Sequence, residues 1–338
     1  MSKTLFRKFL QRGVRRGQLG VVYADGSADT FGQSAEGFPE IVLRLTDDRV
    51  PRDVVLDPRL GAAEAYMDGR LVIEEGDVMG LVTLLRANNA WDRGGDLPKP
   101  RLSRRLIRKV TGAAEKVNDA VRSKNNVAHH YDIGNDFYAL MLDDEHWQYS
   151  CAYWPSDDMT LAEAQRAKLA HIAAKLMLRD GDAVLDIGCG WGGMAIYLAQ
   201  NYSVKVTGIT LSEEQHQLAR ERVEKAGVAD KVSIELVDYR DFAAAGRKFD
   251  RIVSVGMFEH VGQPQFEEFF RCCANLLTDD GTMLVHTIGR MGSPGSTDAF
   301  TRKYIFPGGY IPALSETVAA SEKSRLIATD VETLRLHY

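Results

Sequence analysis

Short apolar runs separated by longer amphipathic segments fill the second half of the chain. Five of these runs predict strands that are buried on both faces, at residues 183–187, 204–210, 232–236, 249–255 and 282–288. The segments between them have helical spacing, and Thr160 with Glu163 and Ser212 with Gln215 predict helix caps. This alternation is typical of an α/β fold with a doubly wound, mainly parallel sheet. Residues 326–334 predict one further strand.

The first part of the chain has a different pattern. Strand-like runs at residues 41–45 and 54–56 are interrupted by Asp, Gly and Pro, and helical spacing follows over residues 61–90. We therefore expect a small N-terminal α+β domain over residues 1–95, a basic linker over 96–120 and the α/β domain over 121–338. Two domains also agree with a chain of 338 residues, which exceeds the size of one ordinary core.

The composition is that of a soluble globular protein, with 45% hydrophobic and 26% charged residues. The net charge of −5 argues against a dedicated nucleic-acid binder. No apolar run is long enough to predict a membrane span or a signal peptide. The cysteines show neither metal nor disulfide spacing, so we expect reduced thiols, no metal site and a cytoplasmic protein.

Positive charge is concentrated in two short segments. Residues 1–24 contain six cations and no acid, with apolar residues between them, and a second cluster occupies residues 99–109. The first segment predicts a basic amphipathic helix. One interpretation is reversible docking on an anionic membrane, where each cation contributes on the order of 1 kcal/mol. The other interpretation is two solvated helix faces.

A glycine-rich turn follows the first predicted strand of the α/β domain. Asp186 precedes Gly188, Gly190 and Gly193, and glycine at these positions lets the backbone turn sharply and approach a ligand. A nicotinamide site usually has an acidic residue at the end of the second strand, where this chain has Thr210. The turn therefore favours S-adenosylmethionine over a dinucleotide.

Other polar residues fall at the ends of the same predicted strands. Asp238 and Tyr239 are placed to receive the adenine end of a nucleoside, through a carboxylate acceptor and an aromatic ring. Glu259 and His286 form a second pair, which could hold a small anion or move a proton. His129 and His130 have no partner at metal-ligand spacing, so a packing or capping role is expected for them.

Six separate motifs occur in the second part of the chain, namely YDIGN at residues 131–135, YSCAY at 149–153, LDIGCGWGG at 185–193, TLSEEQ at 210–215, FEH at 258–260 and HTI at 286–288. Together they resemble the motifs of the cyclopropane-fatty-acyl-phospholipid synthases and the related mycolic acid cyclopropane synthases. The resemblance covers residues 120–338 strongly, and a phrase at residues 64–69 (EAYMDG) extends it weakly into the first domain.

This resemblance implies a class I S-adenosylmethionine-dependent methyltransferase fold and two sets of site residues. The cofactor would be held by Tyr149, Ser150, Asp186, Gly188, Gly190, Gly193, Thr210, Gln215, Asp238 and Tyr239. A bicarbonate ion would be held in the active site by Cys151, Glu259, His286, the backbone of Ile288, and Tyr338. The implied reaction is methyl transfer to a cis double bond of a phospholipid acyl chain, followed by ring closure with loss of a proton.

The residues are compatible with this chemistry. Methyl addition to an alkene leaves a carbocation, which the aromatic faces of Tyr304, Phe306 or Tyr310 could stabilise by about 2 kcal/mol or more. A carboxylate base could trap the cation as an ester, so bicarbonate is the more reasonable proton acceptor. Two alternatives stay open: a methyltransferase that makes methyl-branched acyl chains or methylates a small amine, and a lipid-binding protein without activity. The pair of Glu259 and His286 favours deprotonation after methyl transfer.

The family resemblance carries three further expectations. The partner would be an unsaturated phospholipid at the inner face of an anionic membrane, and a homodimer is left open. Family sequences usually continue beyond the histidine and tyrosine found here at positions 337 and 338. We therefore expect a truncated form with an unpaired sheet edge and an incomplete lipid pocket.

Overall fold

The computed structural model describes residues 2–38, 40–89 and 134–337. These residues form two compact units. The N-terminal unit consists of the described parts of residues 1–109 and 298–304, and the sheet unit consists of those of residues 110–297 and 305–338. The predicted linker at 96–120, the predicted packing role of His129 and His130, and the predicted site residue Tyr338 lie outside the described residues.

The N-terminal unit is built on a four-stranded mixed sheet. Its elements are α1 (Ser2–Gly13), β1 (Gly17–Val22), β2 (Ala28–Gln33), β3 (Ile41–Leu45), α2 (Val50–Leu56), α3 (Pro58–Met67), β4 (Leu71–Glu75) and α4 (Val78–Ala87). The strands lie in the order β2-β1-β3-β4. Strand β1 pairs antiparallel with β2 and parallel with β3, and β3 pairs antiparallel with β4.

Helix α1 packs one apolar face into the core of the N-terminal unit. Phe6, Leu10 and Val14 are all buried, and their spacing of four residues places them on the same side. The prediction of a strand at residues 54–56 is wrong, because these residues complete helix α2. Val50 and Val54 are both buried there, which is the spacing of a helix face.

The sheet unit alternates helices with the strands of a second sheet. Its elements are α5 (Asn135–Met141), α6 (Leu161–Leu176), β5 (Ala183–Ile187), α7 (Gly193–Asn201), β6 (Lys205–Thr210), α8 (Glu213–Lys225), β7 (Val232–Leu236), α9 (Tyr239–Ala244), β8 (Phe249–Val255), α10 (Phe266–Leu276), β9 (Leu277–His286) and α11 (Leu314–Lys323). The five strands lie in the order β7-β6-β5-β8-β9, and every strand pair in this sheet is parallel. The predicted α/β fold with a parallel sheet is confirmed.

Local sequence signals set most of the boundaries in the sheet unit. Thr160 and Glu163 form a reciprocal capping box at the start of α6, and Ser212 accepts the N–H of Gln215 at the start of α8. Strand β9 begins at Leu277 rather than at residue 282, because Leu277 pairs with Phe249 across a register shift. The strand therefore includes a Thr-Asp-Asp-Gly stretch that resembles a turn in the sequence.

The strand predicted at residues 326–334 is not formed. This segment has no regular secondary structure, and Ile327 and Val331 are exposed instead of buried against a neighbouring strand. Side-chain contacts hold it to α6, where Lys175 pairs with Asp330 and Glu332. The apolar residues of the segment therefore do not mark a buried strand face.

Candidate active site

A cavity lies at the carboxyl ends of β5, β6 and β8. Parallel strands bring their carboxyl ends to one edge of a sheet, which is where α/β proteins bind ligands. Nearly all of the predicted cofactor residues line this cavity, namely Tyr149, Ser150, Asp186, Gly188, Gly190, Thr210, Gln215, Asp238 and Tyr239. The exception is Gly193. A Cβ on Gly193 would lie 1.9 Å from the carbonyl oxygen of His146, so this glycine allows close backbone packing instead of facing the cavity.

The turn after β5 needs glycine for two different reasons. Gly188 has a φ of +81°, and a Cβ there would also lie 2.8 Å from Met257. Gly190 has a φ of +55° but open space on its Cβ side, with no atom within 4 Å. Both residues line the cavity. The turn thus exposes backbone to the cavity at Gly190, which is the arrangement that close approach of a ligand requires.

Asp186 is the most deeply buried charged group of the cavity, with a relative exposure of 2%. Its Oδ2 atom has no hydrogen-bond partner within the described residues. Burial raises the pKa of Asp186 to about 7. An unpaired buried carboxylate is unfavourable, so this position fits a ligand that brings a donor or a positive charge, as the methionine part of S-adenosylmethionine does.

The end of β6 is braced by hydrogen bonds of its own. The Thr210 hydroxyl donates to Gln215 Oε1 at 3.0 Å and accepts the N–H of Ser212 at 3.3 Å. These bonds fix the orientation of the Gln215 amide at the start of α8. The cavity wall is therefore preorganised on this side.

Asp238 and Tyr239 line the cavity, but their groups are largely occupied. Asp238 binds Arg240 with both oxygens, at 2.8 and 2.7 Å, and Oδ1 also accepts the Arg240 N–H. The Tyr239 ring packs edge to face against Phe269, with centroids 5.4 Å apart. Arg240 therefore holds the Asp238 carboxylate in place, and Oδ2 keeps acceptor capacity for an adenine amine.

A second polar cluster, made of Cys151, Glu259, His286 and the backbone of Ile288, adjoins the cavity. Ser150 and His260 line the cavity, and they are the sequence neighbours of Cys151 and Glu259. The backbone N–H of Ile288 donates to Glu259 Oε1 at 2.6 Å. Within the described part of the chain, Glu259 Oε2 and His286 Nδ1 are buried without a hydrogen-bond partner. The structure thus brings Glu259 together with Ile288 and leaves two polar atoms available to a ligand.

Burial favours the uncharged forms of the groups in this cluster. It raises the pKa of Glu259 and lowers that of His286 to about 4, with a further lowering from the charge of Lys168. Burial also raises the pKa of Cys151, whose Sγ donates to the carbonyl of His337 at 2.7 Å. Two buried polar atoms without a partner among the described residues fit a small polar ligand.

Two polar residues of α6 were not predicted from the sequence. Gln165 donates to the Ser150 carbonyl at 2.9 Å, and Lys168 donates to the Ser150 hydroxyl at 2.7 Å. They lie one turn apart on a face that otherwise buries Ala164, Leu169 and similar residues. Polar residues on an apolar helix stripe are the signal that could have identified them.

The three aromatic residues predicted to stabilise a cation lie in different surroundings. The Tyr310 ring is buried against Phe266, and its hydroxyl donates to Glu316 at 2.8 Å. Tyr304 belongs to the N-terminal unit and donates to Glu64 at 2.8 Å. Phe306 lies beside the cavity residue His260, with ring centroids 5.7 Å apart.

The strand order and the position of the cavity define a class I S-adenosylmethionine-dependent methyltransferase fold. The cyclopropane synthase MmaA2 from Mycobacterium tuberculosis matches 63% of this chain and 78% of its own, with 33% identity and a TM-score of 0.58. The coclaurine N-methyltransferase bound to N-methylheliamine and S-adenosylhomocysteine matches 72% of this chain and 71% of its own, with 25% identity and a TM-score of 0.55.

Residues 118–338 match the family model of mycolic acid cyclopropane synthetase, and the chain belongs to this family. It is 44% identical over 218 residues to a probable fatty acid methyltransferase of Pseudomonas putida, covering 63% of this chain and 55% of that protein. It is 39% identical over 291 residues to the cyclopropane-fatty-acyl-phospholipid synthase of Escherichia coli K12, covering 86% of this chain and 72% of that protein. The resemblance inferred from the motifs is thereby confirmed.

Proposed function

We propose that this protein transfers a methylene group from S-adenosylmethionine to a cis double bond of an unsaturated phospholipid acyl chain and so forms a cyclopropane ring. The observation that carries this proposal is the buried cluster of Glu259, His286 and Cys151 beside the cofactor cavity. Transfer to an amine needs no second polar site, whereas ring closure must remove a proton from carbon. Family membership supports the same reaction class.

The cavity residues would hold the cofactor by its polar ends. Asp186 Oδ2 would accept from the ammonium group of the methionine part, and Gln215 would contact the nucleoside through an amide that Thr210 orients. Bound S-adenosylmethionine supplies the methyl group on its sulfonium. An alkene is a weak nucleophile, so the main task of the protein is alignment of the two reactants in a dry pocket.

The polar cluster would hold the proton acceptor. Glu259 Oε1 accepts the Ile288 N–H, so its second oxygen and His286 Nδ1 are the atoms that would contact the ligand. Bicarbonate would supply a base that is less able than a fixed side-chain carboxylate to trap a carbocation. Cys151 and the backbone of Ile288 complete the set, with Tyr338 as the remaining family position.

The proposed lipid partner requires contact with a membrane surface, which α1 could provide. Lys3 and Arg7 are paired with Asp25 and Asp29 inside the N-terminal unit, so they are not the docking cations. The exposed side of α1 carries Leu5, Lys8, Phe9 and Arg12 at helical spacing. Two apolar and two basic side chains on one face suit the inner, anionic face of a membrane. No described helix is long and apolar enough to cross a bilayer.

Product analysis tests the proposal directly. The full chain is incubated with methyl-labelled S-adenosylmethionine and vesicles of a cis-monounsaturated phospholipid, and the acyl chains are analysed by mass spectrometry and proton NMR. We expect a gain of one CH2 unit, loss of the olefinic protons and appearance of cyclopropane protons. Label on an amine, or no labelled lipid, would contradict the proposal.

The same experiment decides the second candidate, a methyltransferase that makes methyl-branched chains. The identity of 44% to a probable fatty acid methyltransferase favours this candidate. Its product would keep an olefinic signal or show a branched methyl resonance, with no cyclopropane protons. The two reactions therefore give separate NMR signatures from one sample.

A further inference from the structure

One buried cation of the sheet unit has no part in the reaction proposed so far. Lys168 lies on α6 with a relative exposure of 2%. Its Nζ donates to Ser150 Oγ at 2.7 Å, and this is its only hydrogen bond to the described residues. An ammonium group carries three donors. Two of these donors are unused among the described residues, and burying them without a partner is unfavourable, so this position favours a further acceptor.

The neighbouring side chains do not supply that acceptor. Within residues 134–337, no carboxylate forms an ion pair with Lys168. Asp143 is the acid that interacts with it electrostatically, but its two oxygens accept the backbone N–H groups of His146 and Gln148. Burial lowers the pKa of Lys168 to about 7, and the nearby Asp143 and Cys151 oppose this lowering. No described carboxylate therefore pairs directly with Lys168, and a bound anion would favour its protonated form.

The charge of Lys168 acts on the polar cluster. It contributes to the lowered pKa of His286 and opposes the raised pKa of Cys151. Glu259 Oε2 and His286 Nδ1 are the two buried atoms of that cluster without a partner in the described chain. The described part of this region therefore combines one buried amine with two unused polar atoms, which together suit a small anion.

We propose that Lys168 is an anion-binding residue, whose ammonium holds a small planar oxyanion beside Glu259 and His286. In the reaction proposed above, on which this inference rests, the oxyanion is bicarbonate. Lys168 also acts through Ser150, because its hydrogen bond fixes the segment that carries Cys151. A neutral side chain at position 168 removes the charge and leaves the neutral ligands in place.

Anion binding is measured as the rise in melting temperature of the full chain with sodium bicarbonate, at pH 7.5 and constant ionic strength. Lys168→Met removes the charge, and Lys168→Arg keeps it. Lys225→Met makes the same change at an exposed position of α8 and serves as the matched control. We expect Lys168→Met to need at least about tenfold more bicarbonate for the same shift, and the other two variants to stay close to the wild type.

A folded Lys168→Met variant that responds to bicarbonate as the wild type does would overturn the inference. If that variant does not fold, competition on the wild type decides. Nitrate, a planar anion, should displace 13C-labelled bicarbonate, whereas urea, a neutral planar molecule, should not; equal competition by the two would also overturn it. Failure of the proposed reaction would give a different result. Bicarbonate binding would still weaken in Lys168→Met, but the wild type would form no lipid product.

Discussion

The cofactor cavity and the polar cluster are neighbours, yet they satisfy their polar groups in opposite ways. In the cavity, Thr210 braces Gln215 and Arg240 occupies most of Asp238, so the chain itself holds the wall in place. In the cluster, Glu259 and His286 each keep a buried atom without a described partner. A preorganised wall binds with little reorganisation, whereas an unsatisfied cluster is stabilised mainly by what it binds. Asp186 is the one cavity group that behaves like the cluster.

The largest effect is expected in the cluster, from Glu259→Gln. The amide keeps an oxygen for the Ile288 N–H but places an NH2 group where Oε2 now lies, and this group can neither accept the O–H of bicarbonate nor exchange a proton with it. We expect turnover to fall at least about 100-fold. The dissociation constant for S-adenosylmethionine should stay within about threefold of the wild type, because the free-energy change for such a factor is smaller than that of one lost hydrogen bond.

Turnover and cofactor binding are measured separately, by product mass spectrometry and by calorimetry. Glu267→Gln is the matched control, because Glu267 is an exposed residue of α10 that pairs with Lys323. Turnover of Glu259→Gln close to that of the control would remove the distinction between cluster and cavity.

An intermediate effect is expected from Asp186, through stability as well as binding. Its pKa is raised from 3.8 to about 7 in the folded chain without ligand. Since the folded state holds this proton more tightly, the contribution of Asp186 to stability should fall as pH rises from about 4 to about 7, by an amount on the order of 4 kcal/mol. Asp186→Asn lacks this loss, and it should bind S-adenosylmethionine more weakly.

Urea unfolding of both proteins from pH 4 to pH 8 tests this expectation. The stability of Asp186→Asn relative to the wild type should increase toward pH 8, and saturating S-adenosylmethionine should reduce the difference. A difference in stability between the two proteins that stays constant across this range would show that Asp186 does not titrate with a raised pKa in the folded chain.

The smallest effect is expected from Thr210→Val, which removes the brace on Gln215. A lost hydrogen bond of this kind is worth about 1 kcal/mol, so the KM for S-adenosylmethionine should rise about fivefold with kcat unchanged. Thr207→Val is the control on the same strand, since the Thr207 hydroxyl accepts a hydrogen bond from Arg247 outside the cavity. An equal rise in both variants would point to a general loosening of β6.

The sequence was sufficient for the parts of the fold that depend on local patterns. Buried strands such as β5 and caps such as Thr160 and Ser212 follow from apolar runs and from hydrogen bonds within a few residues. Residues 326–334 were mispredicted, because an apolar segment forms a strand only where a neighbouring strand pairs with it.

The candidate site shows the same limit. Strand ends place Asp186, Thr210 and Asp238 at one edge, so the rim of the cavity could be predicted. The pairing of Lys168 with Ser150 could not, because it joins α6 to a loop 18 residues away. The Arg240 partner of Asp238 lies two residues away and was within reach of the sequence.

The environment of Cys151 has a consequence for inhibitor design. Cys151 is partly accessible, whereas Cys189, Cys272 and Cys273 are buried, so an electrophile should modify Cys151 first. Its raised pKa keeps the thiol protonated at neutral pH, and thiols react as thiolates. Simple alkylating reagents should therefore act slowly. A useful covalent inhibitor would first bind in the cofactor cavity and only then present its reactive group to the sulfur.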